Sequence, residues 1–259
     1  MRTRNETASA LVIGGGCVVL ALLLWWILSR GSKSMQIPSP ESVLTAAKQL
    51  LGPGYAGGTL FTHMLFSMKL ALLGFLSATS TAVVIGLAMG MSRKANAIFG
   101  PIVAFIRPIP PLAWIPLAII WFGLGDGAKI FVIWFTAFVP TLVNTYTGVK
   151  NVDPVHIAAA RVHGANALRL MLDVYLPGAL PLIFAGLRIS LQASWMALVA
   201  AELIGAFFGL GRVLMTAAQD IYPGMIVVAM AAVAASGAMM TLVLVRIEKF
   251  CLPWVARHS

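Results

Sequence analysis

The chain has 259 residues, of which 60% are hydrophobic and 10% charged, with a mean hydropathy of +0.93. So little polar surface cannot enclose a soluble fold of this length, which excludes a cytosolic globular enzyme and makes the chain an integral membrane protein. Its net charge of +10 is scattered through loops, with no continuous basic stripe interleaved with aromatics, which excludes a nucleic-acid surface.

A hydrocarbon core about 30 Å thick takes roughly 20 apolar helical residues per crossing. Applied along the chain, that rule predicts an all-α polytopic protein with six transmembrane helices. The first runs from about Ala10 to Leu28 and reads as a retained anchor, because no small-residue cleavage site follows it. Ser39, Pro40 and Glu41 then open an amphipathic helix. Its apolar residues Val43, Leu44, Ala47, Leu50 and Leu51 recur at helical spacing, as in a helix lying on the membrane surface.

The second, third and fourth spans cover about Lys69 to Met91, Ile102 to Phe122 and Lys129 to Val149. In the second, Gly86 and Gly90 form a small-xxx-small pattern that permits close helix approach. The third carries three prolines in four positions after Arg107. They remove backbone donors and break the helix at membrane depth, where freed carbonyls need protein or water. Broken helices near a midplane line transport sites, which makes Arg107 a candidate anion-facing residue.

Between the fourth and fifth spans lies a polar two-helix segment, Asp153 to Pro177. Asp153 is placed to cap a helix that has Pro154 at its first position, and Gly164 supplies a left-handed end. A second helix is expected from about Ala165 to Val174, with Pro177 preventing simple continuation.

The fifth span is expected from about Pro181 to Phe207 and the sixth from Gly224 to Val245. Along the fifth, Arg188, Gln192, Trp195, Val199 and Glu202 fall at steps of four and three, on one helix face. Arg188 and Glu202 stand about 21 Å apart at 1.5 Å per residue, so each needs a partner elsewhere. Ionisable groups within a span cost about 2.5 to 3.5 kcal/mol on insertion scales and so face protein or a wet cavity. The stripe is a candidate cavity lining; the alternative is a structural role, with Arg188 reaching the cytoplasmic interface and Glu202 at the outer one. The segment FFGLGR, Phe207 to Arg212, falls in the loop after it.

Cytoplasmic loops attract lysine and arginine. An inside N-terminus puts Arg2, Arg4, Arg93, Lys94, Lys150, Arg161, Arg169, Arg246, Lys249 and Arg257 in the cytoplasm, with both termini. The opposite face receives Arg30, Lys33, Lys48, Lys129 and Arg212. Residues 1–66 then form an anchor plus interfacial helix, 67–250 the membrane core with the loop 153–177, and 251–259 a short cytoplasmic tail. Cys17 and Cys251 lie in different compartments, so no disulfide is expected. Neither catalytic nor metal-binding residues are expected, because the chain has no Gly-Lys-Ser/Thr phosphate loop, nucleophile elbow or Cys/His cluster.

Ala159, Ala160, Gly164, Val174, Leu176 and Pro177 resemble the EAA loop that seats the permease subunits of bacterial ATP-binding-cassette importers on their ATPase. Ala158 stands where the family has glutamate. Further landmarks follow in order: RPIPPL from Arg107, WFGLG from Trp121, Leu180-Pro181, Gly186-Leu187-Arg188, AAEL from Ala200, GLG from Gly209 and LPW from Leu252. Together they resemble the branch serving nitrate, sulfonate, taurine and related anions.

The resemblance implies an importer permease with a coupling loop made of Asp153, Ala158, Ala159, Ala160, Arg161, Gly164, Arg169 and Pro177. It also implies a second permease copy, two ATPase subunits carrying ATP and Mg, and a periplasmic or lipid-anchored binding protein. The candidate translocation residues are Arg107, Arg188, Gln192, Trp195 and Glu202. An ion-coupled carrier needing no ATPase, or a membrane protein that transports nothing, is the alternative reading of the same residues.

Overall fold

In lipid, a helix satisfies its own backbone groups, and helices account for most of the described residues. The computed structural model describes residues 15–29, apart from 18 and 21, and 37–253. In chain order the helices are α1 (Gly15–Ser29), α2 (Pro40–Leu51), α3 (Leu60–Met91), α4 (Arg93–Ile106), α5 (Ile115–Phe122), α6 (Asp126–Lys150), α7 (Pro154–Val162), α8 (Ala167–Arg169), α9 (Leu176–Gly205), α10 (Leu210–Gln219) and α11 (Pro223–Cys251). A 3-10 turn, Pro111–Trp114, leads into α5, and a π-helical turn, Leu170–Tyr175, joins α8 to α9.

Among the described residues, α3, α6, the continuous helix Ala167–Gly205 and α11 are each long and apolar enough to cross a bilayer. Helix α4 and the segment Pro111–Phe122 make one further, broken crossing bent by 90°. Five of the six expected spans are thus seen among the described residues, four of them straight and one broken. The first expected span begins at Ala10, outside the described residues, and only its part from Gly15 is seen.

Helix α6 is the axis of the bundle, with α3 on one side and α9 on the other. The α3–α6 contact depends on notches. A Cβ at Gly86 would stand 2.7 Å from Thr145 Cβ, and one at Gly90 only 2.5 Å from Val149 Cβ. Without a hydrophobic drive between helices in lipid, such close backbone contact is what holds a pair together. The α6–α9 seam adds buried polar ties, with the Thr141 and Ser190 hydroxyls 2.7 Å apart and Ser190 donating to the Ala137 carbonyl at 2.9 Å.

The bent pair is held to α6 by aromatic rings. Trp114 packs at a tilt against Phe135 with 4.2 Å between centroids, and Trp121 and Phe122 pack against Phe131. Trp114 therefore serves internal packing.

Ser39 caps α2 by accepting the Ser42 amide at 3.2 Å, with Pro40 following it as expected. The helix does not simply lie on the membrane surface. Its face at Val43, Ala46, Ala47 and Leu50 packs on Val213 and Ala217 of α10 and Met225 and Ala229 of α11, while Leu44 and Leu51 point outward. Helix α3 starts at Leu60, so the expected division at residue 66 falls inside a helix.

Candidate functional site

Asp153 caps α7 as its position suggests, its Oδ1 accepting the Val155 amide at 2.8 Å. At the other end Gly164 takes φ +78°. The Gly164 amide donates to the Arg161 carbonyl at 2.9 Å and the Ala165 amide to the Ala160 carbonyl at 3.0 Å, the paired bonds that close a helix on a left-handed residue. Nothing else lies within 4 Å of a Cβ at Gly164, so the turn itself requires the glycine.

The second helix starts at Ala167, two residues later than expected. Asn166 caps it by accepting the Arg169 amide at 2.9 Å. It does not stop at Pro177. The helix widens into the π turn, the Leu176 amide reaches back to the Met171 carbonyl, and Pro177 sits in the first turn of α9. A π turn shifts the carbonyls that the proline ring would meet in an α-helix, so the chain passes the proline without a break.

Helix α7 stands clear of the bundle. None of its residues is buried, and Ala158, Ala159 and Arg161 are exposed while Ala160 is half-buried. Val155, Val162 and Leu168 are 67%, 86% and 60% exposed, an apolar set on an otherwise polar segment. At its base is a groove of about 580 Å³ bounded by Asp153, His156, Ala159, Asp173 and Pro177.

A cavity of about 330 Å³ opens where the proline break of the α4–α5 pair meets α6 and α9. Arg107, the residue that ends α4, lines it with Pro111, Thr136, Pro140, Asn144 and Ala193. No carboxylate is in that lining, and among the described residues none pairs with Arg107. The arrangement offers an exposed guanidinium and neutral polar groups to whatever occupies the space.

The stripe on α9 points elsewhere. Arg188 pairs with Glu248 of α11 at 3.3 Å, and Trp195 is buried beside Gly237 of α11. Glu202 is 1% exposed and bonded to α3, its Oε1 accepting the Ser67 hydroxyl at 2.7 Å. Gln192 is exposed. The residues do share a face, but on it Arg188 and Trp195 meet α11 and Glu202 meets α3, whereas the α9 wall of the cavity is Ala193, one step round the helix from Gln192. The structure thus brings Arg107 to the cavity and engages Arg188, Trp195 and Glu202 in contacts between helices.

Residues 82–257 match the family described as binding-protein-dependent transport system inner membrane component. The chain belongs to this family. It is a membrane-spanning permease subunit of a binding-protein-dependent importer. The taurine transport system permease protein of Escherichia coli (strain K12) is 35% identical over 242 residues, covering 92% of this chain and 88% of that one. The bicarbonate transport system permease protein of Synechococcus elongatus is 33% identical over 248 residues, covering 93% and 88%.

The fold is also that of the permease chain in inward-facing structures of a methionine ABC transporter. There the TM-score is 0.60 at 19% identity, over 78% of this chain and 96% of that one. Membership in this permease family implies an inner-membrane location and, as partners, an ATPase and a substrate-binding protein.

Two features of the permease were not read from its sequence. Asn144 and Thr136 join Arg107 at the cavity, and the signal for Asn144 was an amide side chain inside an apolar span. Helix α10 lies in what reads as a loop, although Leu210, Val213, Leu214 and Ala217 carry its helical period.

Proposed function

We propose that this permease passes a small anion through the cavity at the α4–α5 break. The observation that carries the reading is Arg107, a guanidinium without a carboxylate partner among the described residues, in a cavity otherwise lined by neutral groups. The relatives named for taurine and bicarbonate transport support this reading, since taurine carries an anionic sulfonate group and bicarbonate is itself an anion.

The permease works as a homodimer on two ATPase subunits, which bind ATP and Mg; this chain contributes no catalytic residue. Asp153, Ala158, Ala159, Ala160, Arg161, Gly164, Arg169 and Pro177 form the surface that follows the ATPase, with both termini on the same cytoplasmic side. Movement of that loop tilts α6 and α9 and turns the cavity from one side to the other. Gln192, exposed on α9, and Arg188 beside it are available to the second copy.

Two measurements test this. Co-purification from the native membrane in mild detergent should recover an ATPase in stoichiometric amount, and its reproducible absence would sink the importer mechanism. In proteoliposomes of the full complex, Arg107→Ala should lower kcat/KM for taurine or bicarbonate uptake by about 10- to 100-fold, the loss of one charge-assisted hydrogen bond. Unchanged uptake of a transported anion would remove Arg107 from the pathway.

A further inference from the structure

At the end of the bundle opposite α7, three successive backbone amides are each taken by a side chain from a membrane span. Gly209 donates to His63 Nδ1 at 3.1 Å, Leu210 to Ser67 Oγ at 2.9 Å, and Gly211 to Glu202 Oε2 at 2.8 Å. His63, Ser67 and Glu202 are 0%, 0% and 1% exposed. These donors open α10, so the helix start is fastened to α3 through His63 and Ser67 and to α9 through Glu202.

The fastening is internally consistent. Because His63 Nδ1 accepts, its Nε2 carries the proton and donates to the Tyr55 carbonyl at 3.0 Å. Ser67 accepts from Leu210 and donates onward to Glu202 Oε1 at 2.7 Å. The loop is shaped around the carboxylate. Gly209 takes φ +121° and a Cβ there would overlap the Glu202 carboxylate, while a Cβ on Gly211 would stand 2.5 Å from Glu202 Cβ. Both glycines of GLG are required by one side chain.

Glu202 is also one turn from the far end of the longest helical unit in the permease. Ala167–Gly205 runs without interruption for 39 residues from the α7–α8 loop. From Ala167 to Glu202 is about 50 Å at 1.5 Å per residue, the full depth of the membrane. Whatever tilts the loop end of this rod carries the carboxylate at its other end, and α10 with it.

We propose that the Glu202–Ser67–His63 clasp is the far terminus of the coupling path: it makes α10 move with α9, so that docking of the binding protein on the α10 side and displacement of the cytoplasmic loop are one rigid motion. This rests on the importer reading above, because the binding protein engages the face opposite the ATPase. Glu202 is a positioning residue in this scheme and does not touch the transported anion.

The test uses the whole complex of permease, ATPase and binding protein in proteoliposomes, reading ATP hydrolysis with and without the binding protein. Glu202→Ala should lower the stimulation by the binding protein by on the order of tenfold, within the usual range of coupling between sites. Glu202→Gln should retain most of it. Its amide oxygen still accepts from Gly211, and its NH2 donates to Ser67, which still accepts from Leu210.

Full stimulation in Glu202→Ala overturns the proposal alone, as does a Glu202→Gln variant as impaired as the alanine. A wild-type complex indifferent to the binding protein overturns the importer reading and the clasp with it. If the alanine variant does not assemble, hydrogen exchange in the wild type decides. Amides 209–211 should stay protected both without nucleotide and in the ATP–vanadate trapped state, and their release in either state overturns the rigid clasp.

Discussion

Gly164 sets the direction of the α7–α8 loop, since only a left-handed residue lets the Gly164 and Ala165 amides return to Arg161 and Ala160. A β-branched residue there opposes a left-handed conformation that costs an ordinary side chain about 1–2 kcal/mol. Gly164→Val should therefore reduce recovery of the ATPase with the permease, or ATP-dependent uptake, while the variant still inserts in the membrane. Wild-type recovery and uptake would show that the turn is irrelevant to coupling.

Tyr55, in the loop before α3, donates to Asp220 at 2.5 Å. Burial first, and then the Asp220 carboxylate, push its phenol well above the ordinary tyrosine range. The fold thus favours the neutral phenol. Its contribution to stability is fully present below a pH of about 10 and is lost as pH rises through the raised folded value. In mild detergent, the gap in Tm between wild type and Tyr55→Phe should narrow between neutral pH and pH about 11, and a gap that widens would contradict the hydrogen bond.

At this scale local chemistry was legible and distant chemistry was not. The Asp153 cap and the Gly164 stop are short-range signals and could be read directly. The partners of Glu202 lie 135 residues away at Ser67, and His63 reaches Gly209 across 146, separations over which no spacing rule operates.

Among the elements, the notches of α3 make a direct prediction. Replacing Gly86 or Gly90 by leucine places side-chain atoms inside the contact with Thr145 and Val149, an overpacking that costs typically about 1–3 kcal/mol. The thermal unfolding midpoint of the detergent-solubilised complex should fall for either variant, whereas the same change at Val84, 67% exposed on α3, should leave it nearly unchanged. Equal effects at all three positions would mean that the seam does not depend on close approach.

The long helices were legible because apolar length is a local property of sequence. Their ends were less so. α9 begins before Pro181 because the π turn tolerates Pro177, and α3 begins at Leu60 because Thr59 caps it, accepting the Thr62 amide. The face of α2 was legible in period but not in destination, since its partners are more than 160 residues away in α10 and α11.

For the whole molecule, the sidedness that basic loop residues imply can be measured. A cysteine at Val162, 86% exposed on α7, should react with a membrane-impermeant maleimide in inside-out vesicles and stay unreacted in intact cells. One at Gln219, exposed at the end of α10, should show the reverse. A reversal of both would invert the molecule and put the α7–α8 loop out of reach of any cytoplasmic ATPase.

The proline break in the α4–α5 pair also makes this crossing dependent on its neighbour. Helix α4 has 14 residues and α5 has 8, both short of the roughly 20 that insertion machinery accepts as a span. Neither half carries enough apolar length to enter lipid unaided, and three prolines stand between them. In the folded permease α6 holds them through the aromatic surface of Phe131 and Phe135. The broken crossing that lines the cavity therefore depends for its packing on the helix that follows it in the chain.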